Sequence, residues 1–156
     1  MHEFSSAGVR LAYIDEAATG ADRNEPILLI HGFASTHAVN WVFPLWVKFL
    51  TQAGRRVIAY DNRGHGRSEK LYNPDDYRFP LLAADARALL DQLGVERADV
   101  MGYSMGARIA AFLAATEPRR LRSIILGGLG NHLVGWGGPT SGHSRCDGSG
   151  LSGGPH

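Results

Sequence analysis

Apolar and polar positions fall into two kinds of segment that alternate along the chain. Continuous apolar runs stand at 27–30 and 57–60, as expected of strands buried on both faces, and 98–102 and 121–126 read as two further short strands. Between them apolar residues recur at helical spacing. Over 80–93, Leu82, Ala86, Leu89, Leu90 and Leu93 share one face, with Pro80 suited to the first turn and Gly94 to the C-terminal cap. An Ala-rich segment over 105–116 reads as a second helix, stopped before Glu117-Pro118. Residues 41–50 place Trp41, Leu45, Trp46, Phe49 and Leu50 at helical spacing, although Pro44 confines the regular helix to its vicinity and beyond. Trp41, Phe43 and Trp46 are expected in the core. At the start, 4–6 and 9–14 flank Ala7-Gly8 and predict a hairpin. Strand and helix alternate throughout, which predicts an α/β domain with a mostly parallel sheet flanked by helices.

The pattern ends after the run at 121–126. Residues 137–156 hold seven Gly, four Ser and two Pro, too little apolar surface to offset the entropy of ordering. The expected organisation is one folded domain over 1–136 and a disordered tail over 137–156. Sixteen Lys and Arg against fifteen Asp and Glu give a formal charge of +1, with both signs scattered. Neither nucleic acid nor a membrane is therefore implied as a partner. A single cysteine, Cys146, excludes an intramolecular disulfide framework. No basic leader and no run of about 18 apolar residues is present. A cytoplasmic location, no cofactor and no metal are the expectations.

Candidate chemistry centres on Gly102-Tyr103-Ser104-Met105-Gly106, which fits the G-x-S-x-G elbow between a predicted strand and a predicted helix. Glycines two positions either side of the serine are required where the backbone doubles back. Ser104 also sits at a helix N-terminus, where the dipole favours developing negative charge. His31-Gly32-Phe33 follows the strand at 27–30 directly. From there the backbone N–H of Phe33 can pair with that of Met105 as an oxyanion hole. His31 itself reads as a loop-bracing residue.

Three segments, 29–33, Asp61-Asn62-Arg63-Gly64-His65-Gly66-Arg67-Ser68 and 102–107, stand in the order of the α/β-hydrolase superfamily, which the chain resembles over about residues 4–136. Esterases, carbon–carbon bond hydrolases and perhydrolases are the members it resembles most. Epoxide hydrolases and haloalkane dehalogenases share the scaffold but carry aspartate where this chain has Ser104. The resemblance implies a serine hydrolase acting on a small ester or related carbonyl compound, with Ser104 as nucleophile. It also implies that 61–68 is a structural turn beside the active site, with no chemistry of its own.

In that family the triad acid and histidine come late in the chain, and neither has a matching position here. Asp147, His132, His143 and His156 are available, but a flexible segment does not hold groups in catalytic geometry. The expectation is thus an N-terminal part of a hydrolase domain with impaired activity, or a non-catalytic homologue serving as an interaction module. The strand at 121–126 is expected to be an unpaired apolar edge and to promote self-association. A nucleotide-binding reading lacks the G-x-G-x-x-G that would have to follow the first parallel strand.

Overall fold

The computed structural model describes residues 1–130. The tail over 137–156, together with His132, His143, Asp147 and His156, lies outside the described residues. Six strands form one sheet: β1 (His2–Ser6), β2 (Val9–Glu16), β3 (Ile27–Ile30), β4 (Val57–Tyr60), β5 (Ala98–Tyr103) and β6 (Leu121–Gly127). Three helices accompany them: α1 (Trp46–Gln52), α2 (Phe79–Gln92) and α3 (Met105–Thr116). The sheet order is β1-β2-β4-β3-β5-β6. β1, β2 and β4 pair antiparallel, whereas β4, β3, β5 and β6 run parallel.

The continuous apolar runs are explained by helices on both faces. Leu28 and Ile30 of β3, with Ile58 and Tyr60 of β4, pack with Leu82, Ala86 and Leu89 of α2 and Ile109 and Leu113 of α3. The intervening residues Ile27, Leu29, Val57 and Ala59 face the opposite way, onto Trp41 and, at its margin, Val47 and Leu50. Each buried Leu, Ile or Val among them, removed from water, contributes about 1.5–3 kcal/mol before entropy is counted. The hairpin turns at Ala7 (φ 49°) and Gly8 (φ 84°), a pair of positive φ values that matches the twist of the flanking strands.

The segment around Pro44 differs from expectation. A π-helical turn, Ala38–Val42, precedes α1, and Leu45 between them is left-handed with φ 71°. The break resets the helix direction. α1 consequently seats Val47, Leu50 and Thr51 inward, and Trp41 is buried, but Phe43 is 73% and Trp46 40% exposed. Neither belongs to the core. Short 3-10 turns at Pro74–Tyr77 and Pro118–Arg120 were also not foreseen.

Among the described residues β6 pairs only with β5 and forms one edge of the sheet, and Ile124, Ile125 and Leu126 are exposed. Its N-terminal end is pinned by Arg122 donating to Glu25 at 2.8 Å and by Ser123 donating to Asp99 at 2.7 Å.

Helix α2 is tied to the 61–68 loop by a buried fork. Arg63 donates from Nε and Nη2 to the two carboxylate oxygens of Asp85, each at 2.7 Å, and from Nη1 to the Asp76 carbonyl at 2.8 Å. Removing one member leaves the other charge buried and uncompensated. Asp85→Ala should lower the free energy of unfolding by about 3–5 kcal/mol in urea titration. The Arg63→Met/Asp85→Leu double variant should recover most of that loss.

Candidate active site

Ser104 joins β5 to α3 with φ 53° and ψ −114°, a conformation that costs a non-glycine residue on the order of 1–3 kcal/mol. The surroundings leave it little choice. A Cβ at Gly102 would overlap the Gly106 backbone, and one at Gly106 would overlap the Ile30 carbonyl, so strand, turn and helix close on each other at backbone contact. Gly32 approaches less closely: its Cβ would stand 3.3 Å from the Tyr103 carbonyl oxygen and 3.4 Å from Ser104 Cβ. The Ser104 N–H donates to the Gly127 carbonyl at 2.9 Å, and the Ser104 carbonyl accepts from Ala107 at 3.0 Å.

Phe33, Ser104 and Met105 meet at the lining of one cavity of about 700 Å³. Neither the Phe33 nor the Met105 backbone N–H donates to any described residue, and Ser104 Oγ is likewise without a described partner. A second cavity of about 430 Å³ shares Phe33, Phe79 and Met105 with the first.

The loop carrying Phe33 is held by side chains. Asn40 Oδ1 accepts from the Gly32 N–H at 2.8 Å, and His65 Nε2 accepts from the Ala34 N–H at 3.1 Å. His65 Nδ1 in turn donates to the Arg63 carbonyl at 2.9 Å, which fixes its tautomer. His31 is used in the same manner. Its Nδ1–H donates to the Gly32 carbonyl at 2.7 Å, and its Nε2 accepts from the Asn62 N–H at 2.9 Å. Burial strips water from the ring and brings its pKa down to about 4, overriding the opposing effect of the Gly32 carbonyl. His31 is therefore neutral at pH 7 and fully occupied by backbone.

Asp61 anchors the other side of this loop system. Burial alone would raise its carboxyl, but the His37 ring at 2.8 Å and the Arg67 and His37 N–H groups, each at 2.9 Å, hold it at about 2. A Cβ on Gly66, at φ 50°, would overlap that carboxylate, so the loop requires glycine there.

The described histidines near the site, His31, His37 and His65, are all committed to these loops, and none reaches Ser104. No group of three metal-ligating side chains exists among the described residues, and none of their helices is long and apolar enough to cross a membrane. Asn40, Asp85 and Arg108 were not anticipated. For Arg108 the signal was present, since it stands in the first turn of the helix that Ser104 caps. For Asn40 and Asp85 there was none, because each acts on a segment distant in sequence.

A family model described as alpha/beta hydrolase fold matches residues 25–137. The AB hydrolase superfamily protein YfhM of Bacillus subtilis is 37% identical over 110 residues, covering 70% of this chain and 37% of that protein. Rhodomycin D methylesterase DnrP of Streptomyces peucetius is 40% identical over 112 residues, with 70% and 37% covered. The crystal structure of epoxide hydrolase A from Mycobacterium thermoresistibile superposes with a TM-score of 0.71 at 28% identity, over 80% of this chain and 37% of that one. The chain thus spans less than half the length of each of these proteins.

Because the ring of His31 stays neutral in the folded chain and takes a proton readily once unfolded, its contribution to stability is complete above pH 6.5. It is lost as the pH falls toward about 4, a change on the order of 3 kcal/mol. Urea titrations across this window should show the slope, with less of it in His31→Asn. NMR of the His31 ring should show no protonation until pH about 4.

Proposed function

The chain belongs to the α/β-hydrolase family, and from that premise we propose that it is a serine hydrolase acting on an ester or related carbonyl compound through Ser104. Its relatives include a methylesterase and an epoxide hydrolase, so the family alone does not choose the chemistry. The choice rests on Ser104 itself. It is a hydroxyl on a strained strand-to-helix turn, at the rim of a cavity, beside two backbone N–H groups with no described partner.

In this reading Ser104 Oγ attacks the carbonyl carbon and the negative oxygen is received by the N–H groups of Phe33 and Met105. The leaving alcohol departs as the acyl-enzyme forms, and water then releases the acid. His31, Gly32, Gly102 and Gly106 hold the turn and the loop without reacting. The serine proton needs a base, and no described side chain is placed to take it. Without an ordered base the oxyanion hole and binding alone leave about 10³–10⁴-fold acceleration over water.

That shortage favours a second reading, a non-catalytic homologue acting through its surface. The exposed Ile124, Ile125 and Leu126 on β6 offer an edge to which a second copy can add a strand.

A fluorophosphonate probe should label the chain slowly at Ser104, and turnover of p-nitrophenyl acetate should be weak. Both should vanish in Ser104→Ala. Fast turnover would mean that a base is supplied from residues 131–156 or a second chain, and absence of labelling would overturn the enzymatic reading. In sedimentation the chain should run as a dimer or larger, and Ile125→Lys should shift it toward monomer. A monodisperse wild-type monomer would remove the edge proposal.

A further inference from the structure

Arg108 is the single charged residue of the 12-residue helix α3. Its side chain lines the 700 Å³ cavity with Ser104. It makes no ion pair or side-chain hydrogen bond with any described residue, as is also true of Arg23, Arg67 and Arg119, but of these four only Arg108 lines that cavity. The rest of the wall is largely apolar, with the rings of Phe33, Phe79 and Phe112. A guanidinium whose fork has no partner among the described residues, at the wall of a largely apolar cavity, is suited to receive a planar anion.

We propose that Arg108 selects substrates bearing a carboxylate, and that the site takes acyl compounds with an aromatic or branched apolar body and one anionic end. This rests on the reading of Ser104 as nucleophile and names the substrate class of that same site. Arg108 stands four positions after Ser104, the residue that caps α3, which is about 6 Å along the helix axis. A compound with three or four bonds between its ester carbonyl and its carboxylate spans about that distance. The body between and beyond them lies against the phenylalanines. Arg108 is exposed, so the preference is expected to be moderate and dependent on salt.

The half-ester monobenzyl glutarate carries a benzyl group, an ester carbonyl and a carboxylate at this spacing, and benzyl methyl glutarate is its neutral counterpart. Binding of both should be measured by NMR titration in a Ser104→Ala chain, which keeps the esters intact. The half-ester should bind about fivefold more tightly at low salt. The difference should shrink in 0.5 M salt, disappear in Ser104→Ala/Arg108→Gln and survive in part in Ser104→Ala/Arg108→Lys. Equal affinities, a preference unchanged by Arg108→Gln, or no measurable binding of either compound would overturn the proposal. Fluorophosphonate labelling of the wild-type chain tests Ser104 separately, so the nucleophile and the carboxylate preference fail independently.

Discussion

The backbone of Gly106 lies against the carbonyl of Ile30 with no room for a Cβ, and this contact is where β3, β5 and α3 converge. It allows the helix to start directly above the sheet, and it leaves Ser104 in a conformation that a non-glycine residue adopts only under constraint. The same closeness brings Gly32 beside Ser104. One steric requirement thus sets the helix entry, the serine orientation and the approach of the Phe33 loop. The two parallel pairings of β3, with β4 and β5, supply the rigidity that keeps the contact closed.

Around that junction, polar groups are spent on holding loops. His31, His37 and His65, Asn40, Asp61 and Arg63 each bind backbone or a buried partner, and the network reaches α2 through Asp85. Buried polar groups of this kind add order only when satisfied. Asn62 Oδ1, Ser35 Oγ, Trp41 Nε1 and Tyr60 OH are the buried side-chain atoms left without a described partner.

Local physics made much of this legible in the sequence. Strands buried on both faces must be apolar at every position, so 27–30 and 57–60 read directly. The elbow read directly as well, because its glycines are demanded by the turn itself. The helix α2 announced itself through spacing, Pro80 and Gly94. Legibility failed where a residue's role depends on a partner elsewhere. Trp46 and Phe43 are apolar, yet the break at Leu45 turns them outward, and spacing carries no record of that reset. Asp85 looks like an ordinary helix carboxylate until Arg63 is seen beside it. Asn40 gives no sign in sequence that its amide oxygen will meet Gly32.

One hydrogen bond joins the strained turn to the edge of the sheet. The Ser104 amide donates to the carbonyl of Gly127, the last residue of the open-edged strand β6. Arg122 and Ser123 clamp the beginning of that strand, while its apolar remainder pairs with β5 and has no other strand beside it among the described residues, so its final residues can fray locally. When they do, the backbone of Ser104 loses an anchor. The pose of Ser104 is therefore linked to whatever seats against the sheet edge, and exchange of this one amide proton reports on both at once.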